Sequence, residues 1–235
     1  YQFTPSDIVK TKGDELIIEN GLGLEAWISK FTMSAGSIPK VKLTDGLIPL
    51  LIEGDAYAGR PNPHAWMSPE KALYYVDKIV DAFIKIDPDG EVEFRSNAST
   101  YKAKLESLDK ELRDSLSSIP KERRFLVSCE GAFSYLASDY GMKEGYLWPV
   151  NAESQVTPKR MVNLIEMIKK NDVPTIFCES TVSSEAQLEV AKSSGAAFGG
   201  TFYVDSLSGP DGPAPTYIEL LRHNVRLITD GLTLK

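Results

Sequence analysis

From residue 125 to the end, short apolar runs alternate with amphipathic helical patterns, and nothing else in the chain restricts its fold as tightly. The runs at 125–128, 146–150, 175–178 and 198–204 are rich in β-branched and aromatic residues. Helical stripes lie between and after them: Met161, Leu164, Ile165 and Ile168, then Tyr217, Leu220, Leu221, Val225 and Ile228. Apolar strands separated by helices call for a parallel sheet covered on both faces, because each crossover lays a helix on the sheet. Two earlier runs, 16–18 and 47–52, precede another stripe, Ala72, Val76, Ile79, Val80 and Phe83. Ser68 before Pro69 and Thr157 before Pro158 each pair an N-cap oxygen with a proline in the first turn, so helices are expected to start there. Gly231 is expected to supply a left-handed cap at the end of the last helix.

Between the two halves stands a helical pattern over 97–117, with Tyr101, Leu105, Leu108, Leu112 and Leu116 on one stripe. Alone it is an amphipathic surface helix; its place between two α/β halves makes it a connecting strut. The chain of 235 residues, 42% hydrophobic, suits two lobes that each bury a modest core. The expected division is an N-terminal lobe over 1–94, a linking helix over 95–118 and a C-terminal lobe over 119–235. Tyr1 opens in the middle of a loop-and-helix phrase, so the first lobe is expected to lack its leading strand and helix.

Charge narrows the partners. The net charge is −7, and lysines and arginines are scattered along helical faces, which argues against nucleic acid. No apolar stretch reaches the roughly 20 residues that span a bilayer. The two cysteines, Cys129 and Cys178, each follow an apolar run and precede a glutamate. They read as buried strand-end thiols, with a disulfide sterically open to them if their strands are neighbours.

Chemistry has few places to sit. There are two histidines, and His223 falls on the polar side of the last helix, where it is expected to be solvated. His64 lies in Asn62-Pro63-His64-Ala65-Trp66-Met67-Ser68-Pro69, between a proline-stiffened turn and a capped helix start. There a loop can present a ring nitrogen to a cleft, although a histidine beside a tryptophan is also a common structural element. Glu130, Glu179 and Asp205 each follow an apolar strand pattern. Ligands of open parallel sheets bind beyond the carboxyl ends of the strands, so these carboxylates have the address of a site; capping the next helix is the plain alternative.

Three phrases, in this order, carry a resemblance: Asn-Pro-His-Ala-Trp-Met-Ser-Pro, Ser-Cys-Glu-Gly-Ala-Phe-Ser-Tyr-Leu-Ala and Phe-Tyr-Val-Asp-Ser-Leu. With Thr-Pro-Ser-Asp near the start and Glu-Asn-Gly-Leu-Gly-Leu-Glu at 19–25, they resemble the manganese, zinc and iron-binding proteins of ABC importers, the cluster A-I family. The resemblance covers essentially the whole chain. It implies two α/β lobes with parallel sheets flanked by helices, joined by one long rigid helix, with the metal in the cleft. By motif, His64, Glu130 and Asp205 would be metal ligands, and Glu179 is expected near the cleft in a supporting role. The family's further histidine would fall two residues before Tyr1.

With that histidine the donor set is two imidazoles and two carboxylates, and carboxylates that bind through one or both oxygens reach five- or six-coordination. This suits Mn²⁺ or Fe²⁺ better than a tetrahedral Zn²⁺ site. By resemblance, zinc importers tend to place histidine where this chain has Glu130 and to carry a His-rich loop; this chain has neither. The implied role is capture of a divalent metal ion, Mn²⁺ first with Zn²⁺ and Fe²⁺ as alternatives, and delivery to a cognate ABC membrane permease. The implied setting is the periplasm, or a lipid anchor at the outer face of the cytoplasmic membrane, with the protein acting as a monomer. A metallo-hydrolase using Glu130 or Glu179 as base is the competing class. It needs an open coordination position that four protein ligands would close, and no His-Glu-x-x-His or Gly-x-Ser-x-Gly phrase is present.

Overall fold

The structure is a computed structural model that describes residues 13–25, 38–53, 57–150 and 156–233. The opening phrase at 1–7 and Gly54 of the polar loop lie outside the described residues. The first half holds a parallel pair, β1 (Ile17–Glu19) beside β2 (Lys40–Lys42), and helix α1 (Pro69–Ile86). The long helix α2 (Glu91–Ser117) follows, 27 residues or about 40 Å at 1.5 Å per residue. The second half then alternates as expected: β3 (Phe125–Glu130), α3 (Ser134–Asp139), β4 (Lys143–Trp148), α4 (Pro158–Lys170), β5 (Thr175–Glu179), α5 (Glu185–Ser194), β6 (Ala197–Phe202) and α6 (Tyr217–Thr233). β3 pairs in parallel with β4, β5 with β6, and β3 lies next to β5.

Strand parity decides where everything in this half points. Every residue of β3 and β5 is buried, the mark of a sheet covered on both faces. Successive side chains alternate faces. Leu126 and Phe177 join one core with Phe202, Leu108, Leu112 and Leu116 of α2, and Leu220 and Val225 of α6. Val127, Cys129, Ile176 and Cys178 join the opposite core with Leu164 and Ile168 of α4 and Val190 of α5. In each Cys-Glu pair the sulfur therefore faces α4 and α5, and the carboxylate falls on the side of α2 and α6.

The long helix is gripped at both ends. Its C-terminal stripe, Leu105, Leu108, Leu112 and Leu116, is buried. Nearer its start, Phe94 meets Phe83 of α1 and Lys102 pairs with Asp77. The two predicted N-caps form: Ser68 Oγ accepts from the Lys71 backbone N–H, and Thr157 Oγ1 from that of Arg160.

Three expectations need correction. The run 47–52 is not a strand; only Leu51 makes an isolated antiparallel bridge, to Pro61. Its partner segment contains Pro61 and Pro63, which have no N–H to continue a ladder. β1 pairs with β2, whose Lys-Val-Lys carries too little apolar pattern to be read as a strand from sequence. Gly231 is not a cap; α6 runs through it to Thr233. A side chain there would collide with the sheet, since a Cβ would stand 2.8 Å from Thr175 Cγ2 and 2.9 Å from Phe177 Cζ. The cysteines are not free thiols: Cys129 and Cys178 are disulfide-bonded, with Cα atoms 4.9 Å apart. Closing a 49-residue separation, the bond adds about 4 kcal/mol by chain entropy and locks β3 to β5 just behind Glu130 and Glu179. Among the described residues no helix is long and apolar enough to cross a membrane.

Candidate metal centre

His64 stands where sequence placed it, in the turn before α1, at the N-cap of a short 3-10 turn (Ala65–Met67). It is buried, 1% exposed. The turn is braced from several sides. Asn62 N–H donates to Leu50 O at 2.8 Å, Asn20 Nδ2 donates to Pro63 O at 3.0 Å, and Tyr135 OH donates to Asn62 O at 2.8 Å. Trp66 spans to the second half, its Nε1 donating to Val204 O at 3.3 Å, with its ring 5.1 Å from the His64 ring. Burial pushes the imidazole pKa down to about 3, so the ring is neutral near pH 7, the form that binds a metal.

Glu130 is the last residue of β3, 4% exposed, and its Oε1 lies 3.7 Å from His64 Nε2. Gly131 follows it, and no larger residue fits, because a Cβ would stand 2.8 Å from Pro149 O. Asp205 comes three residues after β6. It opens to solvent on the side of a cleft of about 760 Å³ lined also by Trp66, Tyr75 and Tyr217, and protein packed around its other sides raises its carboxyl pKa by desolvation. One ligand atom from each of His64, Glu130 and Asp205 lies within 4.8 Å of the others. Three distant parts of the chain thus converge on one point with one imidazole nitrogen and two carboxylates, a borderline-to-hard donor set that suits a divalent first-row metal.

Glu179 ends β5 beside this cluster. Its Oε2 accepts from the Glu130 backbone N–H at 3.2 Å, and Oε1 is buried with no hydrogen-bond partner among the described residues. Burial first, and the nearby Glu130 charge in addition, hold its carboxyl pKa well above the ordinary range. Glu179 also stands close to both sulfurs, but these are consumed in the disulfide and offer no thiolate.

His223 does not join the cluster. It is half-buried rather than merely solvated: Nε2 donates to Thr201 O at 3.0 Å and Nδ1 accepts from Arg226 at 3.3 Å, which ties α6 to β6. Sequence reasoning missed Asn62, Ser134 and Glu144. Asn62 Oδ1 lies 2.9 Å from His64 Nδ1, and its Nδ2 donates to Gly131 O at 2.7 Å and Ser134 Oγ at 3.1 Å. Ser134 in turn donates to Glu144 Oε2 at 2.6 Å, and burial raises the Glu144 carboxyl pKa to about 7. The one signal in the sequence was an asparagine two residues before the histidine with a proline between them.

An α/β chain in which one histidine and two carboxylates from distant segments converge carries a donor set of the kind that binds a divalent metal ion. Residues 1–231 match the profile of the ZnuA family, the periplasmic zinc-uptake complex component A, and the chain belongs to that family. It is 48% identical over 231 residues to the iron-binding protein YfeA of Yersinia pestis, covering 98% of this chain and 74% of that protein. To the manganese ABC transporter substrate-binding lipoprotein PsaA of Streptococcus pneumoniae it is 30% identical over 239 residues, 99% of this chain and 77% of the relative. The structure of a manganese-bound periplasmic metal-binding protein from Candidatus Liberibacter asiaticus superposes with a TM-score of 0.90 at 37% identity, covering 99% of this chain and 86% of that one. The chain is accordingly a substrate-binding component of a metal ABC importer, working outside the cytoplasmic membrane, and not an enzyme.

Proposed function

We propose that this protein captures Mn²⁺, one ion per chain as a monomer, and hands it to its cognate membrane permease. The observation that carries the proposal is the convergence of His64, Glu130 and Asp205 within 4.8 Å. In this reading His64 comes from the lobe of 1–94, Glu130 and Asp205 come from the lobe of 119–235, and 95–118 is the strut between them. Two carboxylates that bind through one or two oxygens favour an ion content with five or six donors, which supports Mn²⁺ over Zn²⁺. Fe²⁺ is the second reading. It takes the same donors, and a relative 48% identical is an iron-binding protein.

The test is a titration of metal-free full-length protein. A ligand that binds only the folded state adds about 2.7 kcal/mol at a hundredfold excess over Kd. For a chain of 235 residues that is a rise in Tm of roughly 5–10 °C. One equivalent of Mn²⁺ with such a rise is the expected result. No rise with saturating Mn²⁺, Fe²⁺ or Zn²⁺ contradicts the proposal.

A further inference from the structure

The contacts around Asn62 settle the tautomer of His64. Asn62 is 2% exposed, so its amide must be satisfied within the protein. One end faces Gly131 O at 2.7 Å, and a carbonyl only accepts, so that end is the nitrogen. The other end faces the His64 backbone N–H at 3.0 Å, and that group only donates, so this end is the oxygen. The same oxygen lies 2.9 Å from His64 Nδ1, which must then carry the ring proton. The lone pair is left on Nε2, the nitrogen 3.7 Å from Glu130 Oε1.

We propose that Asn62 is a positioning residue for metal capture: its oxygen holds His64 in the Nδ1-protonated form with Nε2 free to bind, and its nitrogen ties that ring to the backbone just past Glu130. The partners lie 69 and 72 residues away in sequence, beyond α2, so the tie joins the two halves of the chain at the site. The chain of donation continues in one direction. His64 Nδ1 donates to Asn62, Asn62 Nδ2 to Ser134 Oγ, and Ser134 to Glu144 Oε2, which anchors the relay on β4. A ligating imidazole needs such a partner on its second nitrogen, since that bond sets both ring orientation and basicity. The proposal rests on His64 and Glu130 being ligands.

Two measurements test it, both on metal-free full-length protein. The first is nitrogen-15 NMR of the unsubstituted protein, with His64→Gln to assign the ring signals. An Nδ1–H tautomer at His64 is expected, and an Nε2–H tautomer overturns the proposal. This result decides alone if the variants fail to fold. The second is calorimetric titration with Mn²⁺ of Asn62→Ala, Asn62→Asp and His64→Ala. Loss of an outer partner weakens metal binding roughly 10–100-fold, and that is expected for Asn62→Ala. Asn62→Asp keeps an oxygen opposite Nδ1 and should recover at least about tenfold of the loss, which a mere loop brace would not allow. If His64→Ala weakens binding and Asn62→Ala stays within about twofold, the inference is wrong and the ligand assignment stands. If His64→Ala binds normally, the ligand assignment fails and the inference falls with it.

Discussion

Alanine at His64, Glu130 or Asp205 is expected to weaken Mn²⁺ binding by more than about 100-fold each, beyond the cost of losing an outer partner. Each substitution deletes a donor atom from a set whose members lie within 4.8 Å of one another. Among the described residues the other histidine, His223, does not stand in for His64, because it is committed to Thr201 on β6 and to Arg226 on α6. His223→Ala should therefore leave the Kd unchanged within about twofold, any loss being one of folded stability through a neutral hydrogen bond worth about 1 kcal/mol. Calorimetric titration of the four variants beside the parent measures the contrast. Equal losses at His64 and His223 would sink the assignment.

The second large effect concerns which metal is held. Glu130 is buried at the end of β3, with its backbone N–H bound by Glu179. A carboxylate there offers hard oxygens and a choice of one or two bonds, so the site can open toward six-coordination. An imidazole offers one nitrogen and no such choice. Glu130→His, in full-length protein, should shift the ratio of Zn²⁺ to Mn²⁺ affinity toward zinc by about tenfold or more, some 1.4 kcal/mol. Exchanging one of the two carboxylates for an imidazole moves the donor set toward the nitrogen-rich tetrahedral sites that Zn²⁺ takes. Zn²⁺ binds the parent well too, because N/O sites tighten along the divalent series, so the ratio between the proteins carries the information and the absolute Kd does not. Competition titration of both ions reads it. A ratio that stays constant or moves toward manganese means that Glu130 does not set the metal.

The parts of the fold that could be read from sequence are those where local pattern and burial agree. β3 and β5 are apolar throughout because both faces are covered, and Ser68 and Thr157 cap helices because an oxygen there reaches an N–H three residues on. What escaped was decided by contacts between distant segments. β2 owes its existence to β1, since Lys-Val-Lys has almost no apolar content of its own. Gly231 looked like a helix stop but is a place where α6 presses on Thr175 and Phe177. The disulfide depended on β3 lying beside β5, an adjacency that strand patterns do not encode. Strand ends and a stiff turn made His64, Glu130 and Asp205 candidates, and the resemblance of the three phrases to the family singled them out as ligands. Asn62 was not, because its partners Gly131 and Ser134 come from beyond α2.

The most direct test of the central claim is the position of the ion. Crystals of the full-length protein loaded with Mn²⁺, measured on both sides of the manganese absorption edge, give an anomalous peak that locates the metal without assumption. One peak per chain is expected, about 2.0–2.3 Å from His64 Nε2 and from carboxylate oxygens of both Glu130 and Asp205. A single strong peak elsewhere, with these three side chains unligated, would contradict the account.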